Sequence, residues 1–239
     1  FINSFSGLFY VSFLKPFIKA DKCIARYCFY ELQATLGTIF MSRLFLHNYF
    51  KLISPMWKVR KDLNEIKHID AKTEGEAAKH EISEVEMMFL QPDFDPLMGT
   101  FNDYATMVSQ FGYMTMFVSA FPLCTMLALV NNYVQLRVDA WRLCQGTQRP
   151  DPKSAQNIGK WQNVLELTGV VSVFTNSGLI SFTGQFVEGY EWPVRVWIFF
   201  LMSSFILAIK YLVAAIIPDT PYEIIIQQER NVYYLEKVI

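Results

Sequence analysis

Asp103 and Asp139 flank a run, Tyr104 to Leu136, that contains no charged residue and has Pro122 near its middle. Ionised carboxylates beside hydrocarbon are costly, and where they occur they mark ion or substrate sites. The run exceeds the roughly 20 residues that one helix needs to cross a bilayer, so it reads as two crossings. With Phe121-Pro122 as the turn, the two helices are antiparallel and both carboxylates return to one membrane boundary as a candidate shared cation site. On the second helix Asn131, Gln135 and Asp139 recur every four residues and form one stripe. Asp103 and Thr106 share a face of the first, and Asn48, next to His47, adds an amide from an earlier segment. Oxygens of this kind, with no sulfur among them, suit a hard cation such as calcium better than zinc. Three other readings stay open. Thr100-x-x-Asp103 resembles a capping box at a helix start, Asp139 is one turn from Arg142, and Asn131-Asn132 are amides of the kind that hydrogen-bond between membrane helices.

The elements that must position these groups follow from composition. Of 239 residues, 52% are hydrophobic and only 18% charged, which is too apolar for an ordinary soluble domain. The formal charge of -1 and the lack of a basic stripe exclude nucleic acid as a partner. No CxxC pair and no zinc spacing occurs among Cys23, Cys28, Cys124, Cys144, His47, His68 and His80. Cys23 and Cys28 are either a disulfide across a short loop or two free thiols. No Walker, GxSxG, HExxH or GxGxxG motif supports an enzyme. The chain opens inside an apolar segment without an initiator Met, so it reads as a fragment and not as a signal peptide.

Six apolar segments are expected to be membrane helices, because open strands cannot satisfy their backbone in lipid. They cover Phe1 to about Leu14, Tyr27 to Ile53 with an end at Ser54-Pro55, Asn102 to Ala120, Leu123 to Leu143, Trp161 to Val187, and Val194 to Ile217. A charged stretch, Trp57 to Glu86, suggests solvated helices joined at Thr73-Glu74-Gly75. A connection around Arg149-Pro150-Asp151-Pro152 cannot be helix interior. The loops at about 55–99 and 145–160 gather Lys and Arg, which places them and the tail at about 219–239 in the cytosol, although Lys15, Lys19, Lys22 and Arg26 argue the other way. On the second segment, Thr35, Thr38, Ser42 and Arg43 form either one wall of a polar groove for lipid headgroups or anions, or, for Arg43, a side chain snorkelling to the interface.

The hairpin also carries a resemblance. Asp103-Tyr104, Gln110-Phe111-Gly112, Phe117 to Leu123, Ala128-Leu129-Val130-Asn131-Asn132 and Leu136-Arg137-Val138-Asp139-Ala140 together resemble the anoctamin family. Phe1-Ile2-Asn3-Ser4, Glu31-Leu32, Arg149-Pro150, Ile158-Gly159-x-Trp161 and Ile217-Pro218-Asp219 extend the match over nearly the whole chain. The resemblance implies an all-α polytopic bundle, in which this chain supplies the fifth to tenth helices of a ten-helix subunit that dimerises through its last membrane helix. It implies calcium-activated phospholipid scrambling or chloride conduction, or, in some members, membrane tethering. Asn48, Asp103, Asn131 and Asp139 match the family's calcium ligands. Lys51 or Leu52 stands where an acid is expected, Thr106 where a second acid is usual, and Gln135 where Glu is usual. Two carboxylates thus replace about five, and since calcium affinity rises with ligand charge, calcium binding is expected to be weak or lost. Ser42 and Arg43 stand at a hinge Gly and a pore Lys.

The leading expectation is a phospholipid scramblase of the plasma membrane or endoplasmic reticulum with weak or lost calcium activation. An anion channel and a non-transporting tether are the alternatives. A cation shared by Asp103 and Asp139 predicts that Asp139→Asn abolishes any calcium dependence of transport while the protein still folds; a capping role predicts loss of folding.

Overall fold

Leu32, Leu36 and Phe40 recur every four residues, and the helix that carries them buries all three, as a 3.6-residue period requires of one apolar stripe. The computed structural model describes residues 2–18, 28–73, 83–152, 154–155, 157–184, 187, 189–217 and 221–238. The described residues hold helices and no strand. Two units divide at Glu188 and Gly189.

In the first unit, α1 (Ile2–Phe9) continues through a π-helical turn at Tyr10–Leu14 and a 3-10 turn at Lys15–Phe17. Helix α2 (Phe29–Ser42) passes through a second π-helical turn, Arg43–His47, into α3 (Asn48–Thr73). A short α4 (Glu84–Leu90) has a full capping box between Ser83 and Glu86. Helices α5 (Met98–Met116) and α6 (Leu123–Trp141) form the hairpin, and α6 ends in a π-helical turn at Arg142–Gly146. Helix α7 (Lys160–Gly178) ends in another, Leu179–Thr183. The second unit holds α8 (Trp192–Ile216) and α9 (Tyr222–Val238).

The core of the first unit joins α1, α2, α5 and α6 through Phe5, Leu36, Phe40, Met116, Phe117 and Cys124, all buried. Helices α1 and α5 come close at Gly112, where an added Cβ would stand 2.5 Å from Phe5 Cζ. Beside it the Phe5 and Tyr113 rings pack at 4.8 Å, and the Tyr113 hydroxyl donates to the Ser4 carbonyl at 3.1 Å. The Phe117 carbonyl closes the hairpin turn by accepting from Ala120 and Phe121 N–H. On α7, Asn176 donates to the Thr115 carbonyl at 2.7 Å and accepts from Ser119 N–H at 3.0 Å. It thereby satisfies backbone groups that the break after α5 leaves open.

Several expectations are corrected. The second segment does not end at Ser54-Pro55: Pro55 lies inside α3, which runs on to Thr73. The proline withdraws only the N–H that would reach the Lys51 carbonyl, and the helix tolerates that single loss. Thr100-x-x-Asp103 is not a helix start either. Asp95 Oδ1 accepts from Leu97 and Met98 N–H at 2.8 and 3.0 Å, which leaves Asp103 one turn inside α5. The polar tail is helical as α9. Of the six expected crossings, two helical stretches are by themselves long and apolar enough to span a bilayer, Lys160–Thr183 and Trp192–Ile216. Expectations that rest on Lys19, Lys22, Cys23, Arg26, the Glu74-Gly75 joint and Pro218-Asp219 lie outside the described residues.

The Gly112 contact predicts that Gly112→Leu costs about 1–3 kcal/mol, because the Phe5 ring has no free space to move into. Thermal unfolding in detergent should fall for the single variant and recover in part when Phe5→Ala is added. A double variant no better than the single one rules this contact out as the cause.

Candidate functional site

Three helices bring four charges together. Asp103 comes from α5, Asp139 from α6, Lys51 from α3, and Arg142 from the first residue of the π-helical turn that follows α6. The Lys51 ammonium lies 2.9 Å from Asp103 Oδ1 and also contacts Asp139 Oδ1. Arg142 Nη2 contacts Asp103 Oδ2 and lies 3.7 Å from Asp139 Oδ1. Each cation bridges both carboxylates, so the cluster is neutral. The Lys51 side chain keeps 11% of its surface exposed and Arg142 16%, which is little enough solvent for the pairing to matter.

Local structure explains why these side chains converge. Asp139 and Arg142 are three residues apart and share a helix face. The Arg142 guanidinium also sits over the Phe94 ring at 5.7 Å. Around that turn, Gln91 donates to the Gln145 carbonyl at 2.8 Å and Gln148 N–H to the Pro92 carbonyl at 3.0 Å. The segment after α4 thus braces the segment after α6.

Deeper in the bundle the charges give way to amides. Asn48 donates to Asn131 Oδ1 at 3.0 Å, Asn131 to Gln110 Oε1 at 2.5 Å, and Gln110 to Asn132 Oδ1 at 2.6 Å. This relay crosses α3, α6 and α5. Gln135, 2% exposed, lies one turn from both Asn131 and Asp139, and neither of its amide atoms has a partner; Asn48 Oδ1 is also buried without one. The structure therefore gathers all five predicted cation ligands, Asn48, Asp103, Asn131, Gln135 and Asp139, along one seam. The Thr106 hydroxyl donates to the Asn102 carbonyl on its own helix at 2.8 Å.

A calcium ion takes six to eight oxygens, with carboxylates unpaired and available to it. Both carboxylates here are already held by two protein cations. Among the described residues no group of three or more His, Cys, Asp or Glu is clustered as metal ligands. The residues as they stand do not fit calcium.

The groove residues divide. Thr35, Thr38 and Ser42 line an open cavity of about 620 Å³ along α2, together with Tyr30, Glu31, Ala34 and Ile39. Arg43 does not belong to it. Its guanidinium donates to the Thr106 carbonyl at 3.0 Å and covers the Tyr113 ring at 4.9 Å, because the π-helical turn it opens directs it toward α5. At the cavity's end, Glu31 accepts both short hydrogen bonds of Lys15, at 2.6 and 2.8 Å.

Sequence reasoning read Lys51 as the loss of an acid and missed its role as a partner. The signal was present: a lone lysine one turn beyond Asn48, on the helix face that carries Asn48. Gln110 was visible only as part of a motif, and Asn176 was not singled out.

Replacing Asn131 by Leu leaves Gln110 Oε1 without its Asn131 donor in a buried setting, at about 1–3 kcal/mol, and takes one of the two acceptors of Asn48 Nδ2, which keeps its bond to the Leu44 carbonyl at 3.0 Å. Thermal unfolding in detergent should register the loss. A double-mutant cycle with Asn48→Ala should return a coupling of about 0.5–3 kcal/mol, whereas strictly additive costs would break the relay apart.

Comparison with known proteins agrees with this architecture. The family profile described as "Anoctamin: Calcium-activated chloride channel" matches residues 1–231. Anoctamin-8 of Homo sapiens is 42% identical over 125 residues, 51% of this chain and 10% of that protein. Anoctamin-10 of Homo sapiens is 29% identical over 228 residues, covering 94% and 32%. Anoctamin-5 of Homo sapiens is 32% identical over 205 residues, covering 78% and 21%. The chain spans about a third or less of the length of these relatives. With the family profile matched from the first residue through most of α9, and with two helical stretches able to span a bilayer, the chain belongs to the anoctamin family of integral membrane proteins.

Proposed function

We propose that this chain forms part of the translocation path of a phospholipid scramblase, with α1, α2 to the start of α3, α5, α6, α7 and α8 as its six membrane helices. The observation that carries the reading is the chemistry of the α2 cavity. Thr35 and Thr38 donate their hydroxyl protons to the Glu31 and Ala34 carbonyls at 2.8 Å, and Ser42 to the Ile39 carbonyl at 2.9 Å. Their oxygens are left as acceptors facing the cavity. Acceptors solvate the cationic end of a zwitterionic headgroup; a chloride ion requires donors. Arg43, the one donor that sequence offered to an anion, is committed to Thr106 and Tyr113. The Lys15–Glu31 pair at the cavity's end offers both signs, which matches a zwitterion and not an anion.

Orientation has support from cysteine chemistry. Cys28, just before α2, is disulfide-bonded, and disulfides persist in oxidising compartments. The start of α2 then faces the lumen or the exterior, and Lys51, 23 residues further along the same helical run, faces the cytosol. Either the plasma membrane or the endoplasmic reticulum satisfies this. Helix α8 is apolar around most of its circumference, as a lipid-embedded or subunit-contacting helix should be, and we assign it the homodimer contact.

The test is reconstitution of the full-length protein in liposomes with fluorescent phosphatidylcholine. Lipid flux is expected both in calcium and in chelator, and Thr35→Val with Thr38→Leu should slow it several-fold by removing the acceptors. Chloride current without lipid flux would make the protein a channel, and neither activity would leave a tether.

A further inference from the structure

Lys51 is the one member of the charge cluster that joins a third helix to the hairpin. Asp139 and Arg142 belong to the same helical run and would meet without help. Asp103 reaches Arg142 across the hairpin. Only Lys51 attaches α3, and with it the α2 groove helix, to both carboxylates at once. A lysine ammonium is a compact point charge with three donors on a flexible stem, able to sit between two acids. Its surroundings have the chemistry of a hard-cation site. Beside the two carboxylates lie a buried Asn48 Oδ1 and a buried Gln135 amide, all without partners.

We propose that the Lys51 ammonium is the resident cation of this seam, a covalently tethered charge that does what a bound divalent ion would do: it neutralises Asp103 and Asp139 and locks α3 against α5 and α6. The inference rests on the reading of α2 as part of a transport path only for its consequence, that the path is held in one state without a soluble ion. The seam itself stands on the geometry alone. Removing the tethered charge and supplying an acid in its place converts the seam into a three-carboxylate oxygen cage open to calcium.

The full-length protein in detergent tests this through calcium-dependent thermal stability, with lipid flux measured separately. Wild type should unfold at the same temperature in calcium and in chelator. Lys51→Glu should be less stable than wild type in chelator and gain several degrees on calcium addition, since a ligand that binds only the folded state raises its stability. Lys51→Gln, with a neutral side chain of moderate size, should gain a smaller shift at higher calcium, and it carries the test if Lys51→Glu does not fold. Calcium stabilisation of wild type that Asp139→Asn removes would overturn the proposal, whatever the variants do. So would folded Lys51→Glu and Lys51→Gln proteins that both ignore calcium. A calcium-stabilised Lys51→Glu protein with no lipid flux in any form would leave Lys51 as the resident cation and refute the transport reading; lipid flux with calcium-indifferent variants would do the reverse.

Discussion

Charge neutrality where α3, α5 and α6 meet is the constraint on which the rest of the first unit depends. Two carboxylates enter a poorly solvated seam from α5 and α6, and each is bridged by the same two cations. The Asp103 and Asp139 side chains keep 30% and 25% of their surface exposed, so removing one member costs between the ~0–1 kcal/mol of a surface pair and the ~3–5 kcal/mol of a fully buried one. That penalty ties the register of α3 to the hairpin more firmly than apolar contact could, since apolar surface tolerates sliding and a bridged pair does not. The amide relay above it, from Asn48 through Asn131 and Gln110 to Asn132, adds directional bonds along the same seam. The seam changes from charge to amide to the apolar core at Phe40 and Met116.

Irregular backbone is concentrated where function is argued. Four π-helical turns interrupt or end helices in the first unit, and such turns are uncommon enough to mark functional segments. The one at Arg43–His47 sits between the α2 groove and the α3 charge cluster and aims Arg43 at α5. The one at Arg142–Gly146 places Arg142 over Phe94 and against Asp103. Open backbone groups are recovered by side chains, as Asn176 does for the end of α5.

Periodicity made part of this legible. The uncharged run between Asp103 and Asp139, its proline turn, and the four-residue stripe of Asn131, Gln135 and Asp139 are one-dimensional patterns, and the hairpin with its two carboxylates at one end follows from them. The pairing across helices does not. Lys51 reads as a missing acid because substitution patterns record charge and not reach, and a lysine stem long enough to touch two helices leaves no trace in spacing. Arg43 was misplaced for a related reason: a π-helical turn rotates a side chain away from the face that 3.6-residue counting assigns. Pro55 misled by its usual meaning, since a proline ends many helices but costs a committed one only a single bond. The helices that carry Gln110, Asn131 and Gln135 are not among the two stretches apolar enough by themselves to span a bilayer, because the polar residues that build the seam dilute their apolar signal.

The groove and the charge cluster share one helical run. From Ser42 to Lys51 is nine residues, roughly 13 Å of helix, with a π-helical turn between them. A cation held at Lys51 therefore fixes the far end of the helix whose hydroxyl oxygens line the cavity. A diffusible ion could fix it only as long as the ion's concentration exceeded its dissociation constant. A tethered charge acts at an effective concentration on the order of millimolar or more and cannot be diluted. An equilibrium governed by a soluble ligand can be moved by that ligand's differential affinity for two states; one governed by a residue of the chain can be moved only by what reaches that residue. On the proposal that Lys51 is the resident cation, regulation at this seam acts on the ion pairs themselves, or on the segment following α4 that braces the turn after α6, and not through competition for an open metal site.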